Sequence, residues 1–447
     1  MEMSYREAGD RRRSSDSIAE LFRAGMGNDR VASEPAERVV DTGLPGVTVY
    51  PRSIEELSEA LRIAGSEMLR ALPAGAGTWF EMGNIPPLET HVFISTSKMD
   101  RILEYEPADL TATVEAGCTL QSFNDGAAKH RQFIPLDPFG GEEATLGAIA
   151  ATASYGPWRC AYGTPRDWII GMRVVHPGGR ITKAGGKVVK NVAGYDMCKL
   201  YTGSFGTLGI IGELSFKLRA LPSADRTAVL FADDLHSLER LVANAMQSDL
   251  QPAAAEIFST GRMQEAVPTT KSFGIAFRFL AEPETITAQV DLLAKLSSSQ
   301  TLQTLDEVNA SHFWRTYSAS EVAQEWSYIL RLSVLPSDLS STFADIERLA
   351  PGANVGTHAA SGVIRLHAYE DWLDGLKKAQ RPRRLVELRQ AVQERGGSLV
   401  ILRAPDEIKA KVDVWGDVGP NARLMREIKA KFDPASLLNP GRFVSGI

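Results

Sequence analysis

Of the 38 glycines in this 447-residue chain, fifteen fall between Phe139 and Leu214. A core can be packed without glycine. A segment this rich in residues lacking a Cβ is built for main chain that passes close to something, or for turns at positive φ. A large flat ligand lying against backbone requires such a segment. Ala144–Gly156 is its extreme: almost every side chain is small, and the Thr145 and Ser154 hydroxyls remain to orient a ring system. A small-residue helix packed tightly on a sheet would use the same residues.

Two further stretches share this character. Pro73-Ala74-Gly75-Ala76-Gly77-Thr78 follows an expected strand, and consecutive small residues can turn successive N–H groups toward an anion. A dinucleotide fingerprint of the Rossmann kind would continue into a helix. Here Glu81–Pro87 follows, with two prolines and two loop formers, so any phosphate is held by a loop without a helix dipole. Gly203–Glu213 reads as a glycine-punctuated loop entering a buried strand, where Ile210 and Ile211 can offer main-chain groups to a heterocycle edge.

The overall composition narrows the classes. Asp+Glu is 55 against 49 Lys+Arg, a net charge of −6, which argues against a phosphate-backbone binder. No apolar run is long enough for a transmembrane helix. Cys118, Cys160 and Cys198 are too few and too scattered for a disulfide framework, a cysteine-rich zinc site or a four-cysteine iron–sulfur cluster. Arg11-Arg12-Arg13 is followed by Ser14-Ser15-Asp16-Ser17 rather than an export core. Reduced thiols and no signal point to the cytoplasm. Residues 1–35 read as a loosely packed extension with one short helix, Ile18–Met26.

The regular elements begin with a β-α-β unit. Val47–Tyr50 leads to a helix capped by Ser53, with Glu56 completing a capping box, and a strand ends near Pro73. From about Ala224 glycine thins and strands alternate with amphipathic helices. Phe273–Leu280 then Pro283–Lys295, and Tyr328–Leu335 then Pro336–Leu349, read as two similar strand–helix pairs, a weak internal duplication or a chance likeness. Strands Val363–His367 and Ser398–Leu402 flank a helix over Arg383–Glu394, and Asn421–Phe432 is a helix before Leu437-Leu438-Asn439-Pro440-Gly441-Arg442. The expected fold class is α+β, with an antiparallel sheet in 223–403.

Together these segments resemble the FAD-binding domain of the vanillyl-alcohol oxidase / p-cresol methylhydroxylase (PCMH) type. The likeness takes in the Pro73–Thr78 loop, Val114-Glu115-Ala116-Gly117, Pro138 through Thr145-Leu146-Gly147, Tyr162-Gly163-Thr164-Pro165-Arg166-Asp167 and Gly206-Thr207-Leu208-Gly209-Ile210-Ile211. Lys190–Asp196 and the Phe432–Arg442 tail are most similar to FAD-binding E subunits of bacterial glycolate oxidases. The resemblance implies an N-terminal extension over 1–35, a two-part PCMH-type FAD-binding domain over 36–222, an α+β cap over 223–403 and a C-terminal segment, 404–447, returning to the FAD domain. It implies Gly75, Ala76, Gly77 and Thr78 at the pyrophosphate. Pro138, Thr145, Gly147, Ala148, Ser154 and Gly156 would line the flavin and ribityl chain, with Tyr162, Gly209 and Ile211 on the other side. Many relatives have Gly-Gly-Asn at 147–149 and Asn-Ala-Gly at 153–155, so the flavin's polar contacts there are left unassigned. No histidine stands in the Gly75–Thr78 loop, where some relatives attach the flavin covalently, so a non-covalent FAD is expected.

A 2-hydroxy acid needs a cation for its carboxylate and a base for its hydroxyl. Arg159, Arg331 and Arg365 are candidates for the first and His367, two residues beyond Arg365 on one strand face, for the second. An ordinary Arg–His pair would look the same. Related catalytic dehydrogenases carry a metal-binding histidine cluster; the seven histidines here include no HxH pair and give no metal motif. Three readings stay open. The chain is the FAD-binding subunit of a glycolate (D-2-hydroxy-acid) oxidase, working with a catalytic flavoprotein and an iron–sulfur subunit and meeting the membrane only through them. Alternatively it is a stand-alone FAD dehydrogenase or oxidase of another small hydroxy acid or alcohol, or a non-catalytic FAD-binding assembly subunit. Nucleic acid is not an expected partner.

Overall fold

The computed structural model describes residues 14–34, 46–87, 91–141, 143–186, 195–297, 301–373, 376 and 380–447. The Lys190–Gly194 part of the narrower resemblance lies outside the described residues, as do residues 1–13.

The first half carries a four-stranded sheet, a five-stranded sheet and a two-stranded ribbon of Gln132–Phe133 with Arg219–Ala220. Strands Thr48–Val49 and Ala71–Ala74 both run parallel to Val92–Ser95, which lies between them, and Val31–Ala32 adds an antiparallel edge. The connecting helix, Ile54–Ser66, starts where Ser53 Oγ accepts from Glu56 N–H, and buries Leu57, Leu61 and Ala64. The second sheet is antiparallel, in the order Ile102–Glu106, Thr111–Glu115, Ile210–Lys217, Ile169–Val175, Ile181–Gly185.

The loose packing expected for the extension is corrected. Its helix runs Ser15–Met26, capped by Ser14, and buries Ile18, Ala19 and Phe22 in one cluster with Leu57 and Leu61. Ile18 and Phe22 stand four apart, so they share a face and dock as one ridge. Arg30 pairs with Glu56 at 2.7 Å, and Val31 pairs with Val49, which ties the next residues down as well.

Residues 224–403 form one antiparallel sheet of eight strands. Its order is Gln303–Leu305, Ala224–Ala232, Phe273–Ala281, Ala254–Ser259, Asn354–His358, Val363–Ala368, Tyr328–Ser333, Ser398–Arg403. Two β-α-β-β-α-β units, each of the split-βαβ type, meet at their second strands. A duplication is therefore present, but in a different register from the expected one. Tyr328–Ser333 corresponds to Ala224–Ala232, not to Phe273–Ala281. Helix Glu307–Ser320 is inserted between the units and covers the first unit's inner face with Phe313, Trp314 and Tyr317. On the second unit's inner face, Trp326 packs against Ile329, Val400 and Leu402. Leu330, Leu332, Ile364 and Leu366 point to the helices behind it. By alternation, Ile329, Arg331, Val363, Arg365 and His367 point the other way, toward the glycine-rich half.

Candidate functional site: two adjoining cavities

The Pro73–Thr78 loop, the start of helix Leu146–Thr152 and the Phe205–Ile211 segment enclose a cleft of about 710 Å³. Thr145 caps that helix by accepting from Ala148 N–H at 3.3 Å. Backbone approach is close enough to forbid side chains. A Cβ at Gly75 would stand 2.1 Å from Thr145 Oγ1, and one at Gly147 would stand 2.7 Å from Ala116 Cβ. Gly77 sits at φ +78, which turns the loop at a conformation side chains disfavour.

Of the sequence-derived cofactor residues, Gly75, Gly77, Thr78, Gly147, Ala148, Gly209 and Ile211 line this cleft. Ala76, Pro138, Thr145, Gly156 and Tyr162 do not. Thr145 is spent on the helix cap, and Gly156 packs against Asp137, whose carbonyl would stand 1.8 Å from a Cβ there. Tyr162 sits among Phe133, Trp158 and Trp168. Ser154 lines the neighbouring cavity and shares a 2.7 Å hydrogen bond with Thr152. Trp79, Phe80, Thr96, Phe205, Asn439 and Arg442 also line the cleft and were not anticipated. The last two arrive on the C-terminal tail, whose Leu438 bridges Ala71 in parallel.

The cleft fits a cofactor with phosphates and several hydrogen-bonding atoms. Thr78 Oγ1, Asn439 Oδ1 and Arg442 Nε are buried there without a partner, and such atoms are costly unless something answers them. The cradle is bare main chain on the sides where Gly75 and Gly147 lie.

A second cavity of about 1010 Å³ adjoins it, with Thr78, Trp79 and Thr152 lining both. Its far wall is the second unit's inner face of the eight-stranded sheet. Arg331 and Arg365, paired across adjacent strands, line it together with His358, Tyr155, Phe139 and Arg403. Arg365 Nε lies 2.7 Å from Glu321 Oε2, and its guanidinium lies 4.6 Å over the Phe139 ring. Arg331 has no carboxylate partner among the described residues.

His367 is placed differently from the expectation. It shares Arg365's strand face, but it is fully buried and does not line the cavity. Its Nε2 lies 3.1 Å from the Glu321 carbonyl and 3.2 Å from Glu321 Oε2. Burial would raise the Glu321 carboxyl, but Arg262, His367 and Arg365 outweigh it and hold that group well below the usual range. Arg159 stands 4.4 Å from the Tyr155 ring centre, behind the lining rather than in it.

His358 was not anticipated. The seam between the two cap units pairs it with Glu256, and its Nδ1–H donates to Glu256 Oε1 at 2.7 Å. Tyr317 donates to the other carboxylate oxygen at 2.9 Å. Burial raises the Glu256 carboxyl, with His358 pulling it back. The imidazole stacks on Phe139 within 6° of parallel and touches Tyr155. Its Nε2 has no partner. In the neutral imidazole with Nδ1 as donor, Nε2 is the acceptor. Among the described residues no group of three or more His, Cys, Asp or Glu is placed to hold a metal ion, and no helix is long and apolar enough to cross a membrane.

Comparisons agree with this architecture. Residues 45–185 match the FAD binding domain, and 417–443 match the C-terminal domain of FAD linked oxidases. Glycolate oxidase subunit GlcD of Bacillus subtilis is 26% identical over 418 residues, covering 89% of each chain. A probable mitochondrial D-lactate dehydrogenase of Danio rerio is 27% identical over 437 residues, covering 89% of this chain and 84% of that one. Substrate-bound p-cresol methylhydroxylase superposes with a TM-score of 0.75 at 15% identity, covering 96% of both chains. The chain is an FAD-dependent oxidoreductase built on the PCMH-type FAD-binding fold.

Proposed function

We propose that the chain oxidises a small 2-hydroxy acid in the second cavity, with FAD held non-covalently in the first. The observation that carries this reading is the junction at Thr78, Trp79 and Thr152, where a glycine-walled cleft opens onto an arginine–histidine pocket. In this reading Gly75, Gly77 and Thr78 face the pyrophosphate, and Gly147, Ala148, Gly209 and Ile211 lie along the rest of the dinucleotide. The corresponding domain bounds are 36–222 for FAD and 223–403 for the cap, with 404–447 returning. FAD, when bound, supplies the acceptor for the two electrons and the hydrogen leaving C2.

The chain's own residues bind and orient. Arg331 and Arg365 take the carboxylate through their planar forks. His358 Nε2 takes the hydroxyl proton, and Glu256 stabilises the imidazolium that results. Charge selects the substrate class. Arg262 and Arg365 share one buried carboxylate, Glu321, and Arg403 meets Glu81. Arg331, in the same pocket, has no carboxylate partner among the described residues. The excess positive charge favours a carboxylate-bearing substrate over a neutral alcohol.

A subunit role goes with this. The glycolate oxidase relative is itself named as a subunit, and Cys118, Cys160 and Cys198 are separate, free thiols that offer no onward electron route. The reading is therefore an FAD-binding subunit acting with a catalytic flavoprotein and an iron–sulfur protein, in the cytoplasm or at the membrane face through that complex. The test is anaerobic mixing with glycolate, D-lactate and D-2-hydroxyglutarate, following the flavin absorbance. Bleaching by at least one of the three hydroxy acids is expected. Bleaching only after partner subunits are added supports the subunit role, whereas bleaching of the isolated chain favours a stand-alone enzyme. A flavin inert in both settings overturns the catalytic reading and leaves an assembly role.

A further inference from the structure

The cofactor cleft contains a charge that no side chain answers. Arg442 is 4% exposed and lines the cleft. Its Nη2 donates to the carbonyls of Phe80 and Met82, and its guanidinium lies 4.4 Å from the Phe80 ring centre. Its Nε has no partner, and no carboxylate pairs with it among the described residues. Burial alone pulls its pKa down to about 10. Among other buried cations, Arg262 meets Glu321 and Lys429 meets Asp433, while Arg389, which like Arg442 has carbonyl partners only (Leu399, Asp413 and Val414), lines neither cavity. An unanswered buried guanidinium is unfavourable, and it persists where a ligand supplies the counter-charge.

Its neighbour points the same way. Asn439 also lines the cleft, with Nδ2 tied to the Phe205 carbonyl and Oδ1 buried without a donor. The tail that carries both residues is fixed. Ala71 N–H donates to the Leu437 carbonyl at 2.7 Å and Asn439 N–H to the Ala71 carbonyl at 2.9 Å. Lys429 Nζ donates to the carbonyls of Thr207 and Leu438. Two orphaned polar groups thus face the cleft from a rigid support.

We propose that Arg442 supplies a positive charge that partly offsets the doubly anionic pyrophosphate of the cofactor, and that Asn439 Oδ1 accepts from a hydroxyl of the same cofactor. The pyrophosphate carries the permanent negative charge of FAD. The amides of Gly75–Thr78 offer dipoles to it but no net charge. The assignment rests on the FAD reading of the cleft.

The test is titration of apoprotein with FAD, ADP and riboflavin, together with melting temperatures with and without ligand. Arg442→Met weakens FAD and ADP by about tenfold or more, leaves riboflavin affinity unchanged, and keeps or raises the apoprotein's melting temperature. Arg442→Lys retains the charge and recovers part of the loss. Wild-type FAD affinity in Arg442→Met overturns the assignment. So does an equal loss for all three ligands with a falling apoprotein melting temperature, which marks a structural residue. Wild-type protein that takes up no FAD removes the reading of the cleft itself.

Discussion

Glu321 shows how one buried carboxylate can organise a pocket without lining it. It meets Arg262 at 2.6 Å and Arg365 at 2.7 Å, and it occupies His367. Glu321→Gln leaves two buried guanidiniums short of charge and is expected to cost about 3–5 kcal/mol, read from urea denaturation at neutral pH. The pH dependence follows from the depressed carboxyl. Its stabilisation is complete above the unfolded value near 4.5 and is lost as pH falls toward the lower folded value. Glu321→Gln should therefore flatten the acid limb of the stability curve. For the imidazoles, His358→Gln is expected to slow flavin reduction by about 10²–10⁴-fold with FAD affinity unchanged, measured by stopped flow. The sequence alone favours His367 because alternation puts it beside Arg365, and that geometry is correct. What alternation does not carry is the Glu321 carboxylate, supplied by a loop 46 residues away. Nor does it carry the strand seam that joins His358 to Glu256 across 102 residues.

The loops and helix ends of the cleft are legible because their constraint is local. A glycine whose Cβ would collide is a glycine in any context, and Gly75 and Gly147 announce themselves by type and spacing. Gly75→Ala should push the loop off Thr145 and raise the FAD dissociation constant about tenfold or more, with a smaller effect when combined with Thr145→Ala. That second change removes Oγ1 but also the helix cap, at about 1 kcal/mol. Comparing FAD titrations of the single and double variants checks this. The tail's contribution was not legible, because Arg442 meets Phe80 and Met82 across some 360 positions. A sequence motif marks that such a tail docks, not what its side chains face.

Across the whole molecule, the two cap units differ in what their inner faces meet. Helix Glu307–Ser320 covers one cap unit's inner side, and the other unit keeps Arg331 and Arg365 for the cavity. Arg331→Met is expected to raise the KM for a monocarboxylate at least tenfold while leaving FAD retention unaltered, since Arg331 lines the second cavity and not the first. Steady-state kinetics beside a flavin-to-protein absorbance ratio separates the two. The α+β class and the antiparallel cap were readable from strand and helix periodicity. The register of the repeat was not, because the order of strands in a sheet is set by pairing between distant segments.

The parallel bridge between Leu438 and Ala71 has a consequence for biosynthesis. The wall of the cleft that bears Asn439 and Arg442 leaves the ribosome only after the entire cap has been translated. On the proposed role of these two residues, cofactor capture is a late event, and a nascent chain interrupted within the cap is expected to emerge as a colourless, half-built vessel.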